Sequence, residues 1–241
     1  MSTLIGVGVG PGDAELVTVK AVRVLNEADL VVVPVLDTAE PGRAEATVRA
    51  HLAHDRLERV TFALNERTDR ARREAAWDAA ARRVAEAFGA GARTVAFATI
   101  GDPAMYSTFT YLTRTVTGLV PGTNVETVPG ITAMQDLAAR GGTVLCEGTE
   151  TLALVPSTAG AGRLRAALAA ADTVVTYKAG PRLGEVRAAL AESGRLHGAV
   201  YGARLGLPGE DIRPLAAAGD RAPYLATIIA PAVRTGRGGK L

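Results

Sequence analysis

Short β-branched runs alternate with longer Ala-, Leu- and Arg-rich segments along this chain, the rhythm of an α/β sheet protein. In the first half the pattern predicts strands over Leu4–Val9, Leu30–Val35, Arg59–Phe62, Thr94–Thr99 and Asn124–Val128. Helices fit near Glu15–Asn26, Ala44–Ala53, Asp69–Phe88 and Ser107–Thr117. Asp13 is placed to cap the first helix, with Leu16, Val19, Ala21 and Val22 as its apolar stripe, and Gly89 and Gly91 close the third. The second half restarts the theme, with strands at Thr151–Pro156, Thr173–Tyr177, Ala199–Arg204, Ile212–Pro214 and Leu225–Ala230. Its helices fit Met134–Arg140, Ala161–Ala170 and Arg182–Glu192. Two groups of about five strands, divided near Gly130–Cys146, imply two αβα domains, 1–133 and 134–241. Each would hold a roughly five-stranded, mostly parallel or mixed sheet, with a cleft between the domains of the kind that holds ligands. The end of the chain, about 235–241 with Gly236-Arg237-Gly238-Gly239, reads as disordered.

Composition removes several classes of function. The net charge of +2 over 241 residues gives no general nucleic-acid signal, and the arginines are scattered rather than clustered. The single Cys146 excludes an internal disulfide framework and a cysteine-rich metal site. His51, His54 and His197 show no ligand spacing with a carboxylate partner, and His51 and His54 read as surface residues on one helix face. No apolar run approaches the roughly 20 residues of a membrane helix, and no signal peptide precedes the first strand. The expectation is a soluble, cytoplasmic protein without a metal.

The segment Leu4-Ile-Gly-Val-Gly-Val-Gly-Pro-Gly-Asp13 imitates a dinucleotide-binding loop and then breaks its rules. Glycines at a strand end let a ligand or a second backbone approach closely. Pro11 removes a backbone N–H that a phosphate cradle would use. The second strand ends in Pro34-Val35 with no carboxylate to read a ribose, which argues against NAD.

Two further loops leave strand ends. The first is Ile100-Gly101-Asp102-Pro103-Ala104-Met105-Tyr106-Ser107-Thr108, the second Val128-Pro129-Gly130-Ile131-Thr132-Ala133. Asp102 can accept hydrogen bonds from a ligand, yet Asp102 or Ser107 can equally be an ordinary turn cap. Three glycine-bearing loops at the carboxyl ends of neighbouring strands form a stronger signal than any one alone. No nucleophile elbow, Walker lysine or zinc-binding histidine pair occurs, and Ser157 and Ser193 read as turn or cap residues. This inventory suits a reaction that needs positioning rather than a covalent nucleophile.

The first loop with Gly6, Gly8, Gly10, Pro11 and Gly12, the Gly101-Asp102-Pro103 segment and Val128-Pro129-Gly130-Ile131-Thr132 together resemble the S-adenosylmethionine-dependent tetrapyrrole (corrin/porphyrin) methylases over nearly the whole chain. Ile100–Phe109, Glu147-Gly148-Thr149-Glu150-Thr151-Leu152, and Val200-Tyr201 with Pro223-Tyr224 are similar to the branch that methylates C-20 of precorrin-2. Ile100 and Tyr106-Ser107 depart from the uroporphyrinogen-III branch. The resemblance implies two αβα domains with the cofactor in the trough between them, and a homodimer. It implies contacts to S-adenosylmethionine, and to its product S-adenosylhomocysteine, at Pro11, Ile100, Gly101, Asp102, Met105, Thr132 and Ala133. From the second domain it adds Lys178, the segment around Ala203, and Thr227. The tetrapyrrole would meet Gly10, Gly12, Asp13, Tyr106, Ser107 and Arg204.

The implied chemistry is methyl transfer from a sulfonium to a meso carbon between two pyrrole rings, for which the substrate brings its own nucleophile. The protein must align the reacting atoms and exclude water. No residue declares itself as the base for the displaced proton; Tyr106 and Glu147 are the candidates by polarity and position. The substrate is rich in carboxylates, so Arg114, Arg140 and Arg204 either line the site or lie on the surface. Rival expectations are the cobalt form of the oxidised substrate, methylation of uroporphyrinogen III, RNA methylation on the same fold, and a module that only binds tetrapyrrole or nucleotide.

Overall fold

The computed structural model describes residues 1–63, 69–234 and 236, so the tail expected to be disordered lies, apart from Gly236, outside the described residues. The chain divides into two compact units, Met1–Thr132 and Ala133–Leu241. No described helix is long and apolar enough to cross a membrane.

The first unit runs β1 (Thr3–Gly8), α1 (Val19–Glu27), β2 (Leu30–Val35), α2 (Arg43–Arg49), β3 (Leu57–Thr61), α3 (Arg70–Gly89), β4 (Thr94–Thr99), α4 (Phe109–Leu119) and β5 (Asn124–Val128). Its strands form one parallel sheet in the order β3-β2-β4-β1-β5. Helices cover both faces, which is why the inner strands β2, β4 and β1 are buried along nearly their whole length without alternation, while the edge strands β3 and β5 carry polar residues. Leu4, Val32, Val95 and Phe97 pack with Val84, Phe88, Phe109 and Leu112 of α3 and α4. Ile5, Val7, Val31, Val33 and Ala98 pack with Ala21, Val24, Leu25 and Val48 of α1 and α2.

Two expectations in this unit are corrected. Asp13 caps only a single 3-10 turn, Ala14–Leu16, and the Thr18 hydroxyl, accepting from Ala21 N–H, starts α1 four residues later than predicted. The stripe that α1 buries is therefore Ala21, Val24, Leu25 and the flanking Ala28, while Val19 is 87% exposed. His51 and His54 are not helical, because α2 ends at Arg49. Their Nε2 atoms lie against the carbonyls of Ala14 (2.7 Å) and Leu25 (3.2 Å).

The second unit runs α5 (Ala133–Arg140), β6 (Leu152–Pro156), α6 (Ala161–Ala170), β7 (Thr173–Tyr177), α7 (Leu183–Glu192), β8 (Val200–Ala203), β9 (Asp211–Pro214) and β10 (Thr227–Ala230). The sheet order is β6-β7-β10-β8-β9, with β6 and β7 parallel and the other pairs antiparallel. Leu164, Leu168, Val186 and Leu190 of α6 and α7 cover Val174, Tyr201 and Ile228 on one face. Leu137 and Ala138 of α5 cover Val175 and Ile229 on the other. Both units are thus αβα layers, one parallel and one mixed.

Two predictions follow from the packing. A β-carbon on Gly8 would lie 2.5 Å from the Gly101 carbonyl oxygen and 2.6 Å from Gly130 N. Gly8→Ala should cost about 3 kcal/mol or more in chemical denaturation. Gly118→Ala, inside α4 with nothing within 4 Å of the added carbon, should instead gain up to about 1 kcal/mol. Equal effects of the two would overturn the packing argument.

The second concerns Glu45, 1% exposed, which accepts from Arg59 at 2.7 and 2.9 Å and from Arg49 at 2.8 Å. The Arg59 hydrogen bonds, with help from Arg49, hold its carboxyl below the usual carboxylate range. A depressed folded value contributes stability above the unfolded range, and that stability is lost as pH falls through the folded value. Urea midpoints should therefore drop between about pH 5 and about pH 3, and Glu45→Gln should flatten part of that slope.

Candidate functional site

In a parallel sheet, ligands collect beyond the carboxyl ends of the strands. The strands β4, β1 and β5 are neighbours, so the three glycine loops leave the same edge side by side. They also touch. Val9 N–H donates to Thr99 O at 3.0 Å and Gly101 N–H to Gly10 O at 2.7 Å, so that beyond the parallel β1–β4 pairing the two loops meet in an antiparallel bridge between Gly10 and Gly101. Gly101 takes φ +71°, and a side chain there would project into open space. Gly130 packs so closely that a β-carbon on it would sit 2.1 Å from Gly101 O.

Asp102 fastens this arrangement. Its Oδ1 accepts from Ala104 N–H at 2.7 Å and its Oδ2 from Gly130 N–H at 3.0 Å, so one carboxylate ties two loops. Met105 N–H donates to Asp102 O at 3.1 Å and closes the turn. The Ser107 hydroxyl donates to Thr99 Oγ1 at 3.0 Å and accepts from Phe109 N–H at 3.1 Å, so it acts as a turn cap. Tyr106 stands between them with φ +52° and is 45% exposed. Burial of its hydroxyl pushes the phenol pKa up, so in neutral water Tyr106 is a hydrogen-bond donor rather than an ionised base.

The rest of the first loop is built into its own unit. Gly10, Pro11 and Gly12 are buried; Leu16 O lies 3.1 Å from a β-carbon on Gly10, and the Thr47 hydroxyl donates to Gly12 O at 3.2 Å. Asp13 accepts from Glu15 N–H at 3.0 Å. Thr132 is buried.

The second unit has an edge of its own. β6, β7 and β8 run in one direction and β10 in the other, so the ends of the first three meet the start of β10. Lys178, Ala203, Arg204 and Thr227 therefore gather on one edge, with Thr227 opposite Gly202. Lys178 has φ +59°, and the buried Ser157 hydroxyl donates to its carbonyl. Ala179 N–H donates to Ala226 O at 3.0 Å. β8 stops at Ala203, one residue earlier than the sequence suggests, because Arg204 turns to φ +53°. Ala133 begins α5, and Met134 N–H donates to the Tyr177 hydroxyl at 3.0 Å.

Among the described residues, the non-glycine positions with positive φ are Tyr106, in the loop between β4 and α4, and Lys178 and Arg204, each the first residue after a strand. Such strain persists where the surroundings impose it, and it concentrates at ligand sites. All three were expected from the sequence to meet cofactor or substrate.

Other expected residues have other partners. Glu147 lies 3.4 Å from Arg234, which also binds the buried carboxylate of Glu150. Arg140 pairs with Asp136 at 2.7 Å and Glu210 at 3.3 Å. Arg114 is exposed on α4. Sequence reading passed over Thr99 and took Ser157 for a turn or cap residue; its bond to the Lys178 carbonyl comes from strand pairing, since Pro156 sits beside Tyr177 only in the folded sheet.

The geometry defines a two-unit α/β protein whose glycine loops and positive-φ residues lie in the segments that follow its strands. The profile of Tetrapyrrole (Corrin/Porphyrin) Methylases matches residues 3–218. The chain is 36% identical over 236 residues to precorrin-2 C(20)-methyltransferase of Sinorhizobium sp, covering 95% of this chain and 94% of the relative. It is 31% identical over 237 residues to cobalt-precorrin-2 C(20)-methyltransferase of Salmonella typhimurium, covering 94% of each. Among solved structures, uroporphyrin-III C-methyl transferase of Thermus thermophilus, complexed with S-adenyl homocysteine, superposes with a TM-score of 0.66 at 23% identity, over 95% of this chain and 97% of that one. The chain belongs to the tetrapyrrole (corrin/porphyrin) methylases and is a methyltransferase.

The Asp102 strap makes a direct prediction. A hydrogen bond to a charged group contributes about 1.5 kcal/mol at a partly exposed site. Asp102→Ala should therefore speed amide exchange at Gly130 and Ala104 about tenfold without unfolding the chain. Unchanged exchange at Gly130 would show that the loops hold together without the carboxylate.

Proposed function

We propose that this chain transfers a methyl group from S-adenosylmethionine to C-20 of precorrin-2, giving precorrin-3A and S-adenosylhomocysteine in cobalamin biosynthesis. The observation that carries the reading is the 36% identity to the Sinorhizobium enzyme over 95% of this chain and 94% of that protein. The neighbour from Thermus holds the demethylated cofactor on the same fold, which supports the cofactor assignment.

The strand ends fit such a cofactor. Gly101 leaves open space beside its backbone, and Asp102 provides a carboxylate beside it that suits a positively charged ligand. On this reading Pro11, Ile100, Gly101, Asp102, Met105, Thr132 and Ala133 hold the cofactor, joined by Lys178, Ala203 and Thr227. When bound, the cofactor supplies an electrophilic methyl group on a sulfonium sulfur. The loops are held by the chain's own hydrogen bonds, through Asp102 in the first unit and Ser157 in the second. Alignment then costs less entropy at the moment of reaction. Gly10, Gly12, Asp13, Tyr106, Ser107 and Arg204 are assigned to the tetrapyrrole, with the neutral Tyr106 hydroxyl as a donor to a polar edge. A cytoplasmic homodimer without nucleic-acid or membrane partners belongs to the same reading.

The relative from Salmonella favours a second substrate form, the cobalt complex. The purified chain with S-adenosylmethionine should add one methyl to metal-free precorrin-2, read by product mass and absorbance. Turnover of the cobalt form alone would replace the first reading with the second. Transfer of two methyls to uroporphyrinogen III, or cofactor binding without any transfer, would reject both.

A further inference from the structure

Arginine suits carboxylate recognition because its planar fork matches both oxygens at once. Several arginine forks among the described residues are engaged by the chain's own acids: Arg59 by Glu45, Arg83 by Glu58, Arg165 by Glu192 and Arg234 by Glu150. Arg204 differs. It is exposed, and its guanidinium has no hydrogen bond or ion pair among the described residues. Its backbone is nevertheless held in the left-handed region, at φ +53°.

The turn that carries it is braced from several sides. Leu207 N–H donates to Arg204 O at 2.9 Å, and Leu205 is buried in the core beside Leu137. Glu210 Oε2 accepts from Gly206 N–H at 2.6 Å, while Oε1 accepts from Arg140 Nη1 at 3.3 Å. Arg140 Nε in turn donates to Asp136 Oδ1 at 2.7 Å. Asp136 is 4% exposed and its Oδ2 has no hydrogen-bond partner, so Arg140 is its compensating charge and is fixed there. Gly209 completes the arrangement: a β-carbon there would come within 2.9 Å of Arg204 Nη1. A surface arginine with no ligand needs no such support.

We propose that Arg140 and Glu210 are positioning residues that hold the β8–β9 turn so that Arg204 pairs with a carboxylate side chain of the tetrapyrrole. The substrate class rests on the function proposed above; the brace does not. Arg140, expected from sequence as a possible carboxylate reader, acts instead through Arg204.

Uroporphyrin III, a stable porphyrin with the same kind of carboxylate rim, serves as probe in fluorescence titrations of the full chain, with S-adenosylhomocysteine affinity measured by calorimetry. Arg204→Gln should weaken porphyrin binding about tenfold, and Arg204→Lys, which keeps the charge but not the fork, about threefold. Glu210→Gln should also weaken it, and adding Arg204→Gln to that variant should take affinity no lower than Arg204→Gln alone. S-adenosylhomocysteine affinity should stay at the parent value throughout. Parent-like porphyrin binding by Arg204→Gln would overturn the proposal, as would additive losses in the double variant. Arg204 is exposed, so its two variants report even if Glu210→Gln fails to fold. A parent chain that binds S-adenosylhomocysteine but no porphyrin would instead remove the substrate reading.

Discussion

The Gly101 carbonyl oxygen occupies the place where a β-carbon on Gly130 would be, and Gly8 lies against both residues. Three neighbouring strand ends can meet backbone to backbone only because none of these residues has a side chain. Asp102 then converts proximity into a fixed arrangement, since its two oxygens bind amides of two different loops. The parallel order β4-β1-β5 supplies the proximity, and the αβα packing on both faces holds that order. The strand-end site in the first unit depends on this contact.

The second unit reaches a similar result by another route. Its strand ends carry a lysine and an arginine at positive φ, each held by a hydrogen bond to its carbonyl. Lys178 depends on Ser157, and Arg204 on a turn fixed through Glu210, Arg140 and Asp136. Left-handed backbone at a residue with a side chain is unfavourable in isolation, so these supports hold a conformation that the residues would not adopt alone. Two edges fixed by the chain's own hydrogen bonds suit chemistry in which the substrate brings the nucleophile and the protein brings alignment.

Much of the fold was legible in the sequence because strand runs and helical stripes are local signals. Strands β2, β4 and β5 match the expected residues, and Gly91 closes α3 as read, with its N–H bonding Phe88 O and Ala92 N–H bonding Ala87 O, while Gly89 is the last residue of the helix itself. The start of α1 was not legible, since Asp13 and Thr18 are both good caps and only packing of Ala21, Val24 and Leu25 decides between them. The histidines were misplaced for a related reason: the carbonyls that hold them belong to Ala14 and Leu25, distant in sequence.

Sequence alone determined the α/β class, the division into two groups of about five strands, the three glycine loops and their resemblance to one methylase family. Those features are carried by residue type and short spacing. Tertiary structure decided what each residue does. Asp102 links two loops, Ser107 caps a turn, Glu147 pairs with Arg234, and Arg140 braces a turn that leaves the Arg204 guanidinium without an ion pair among the described residues. These roles depend on partners up to 87 residues away along the chain, from Glu147 to Arg234, and only the sheet register brings such partners within hydrogen-bond range.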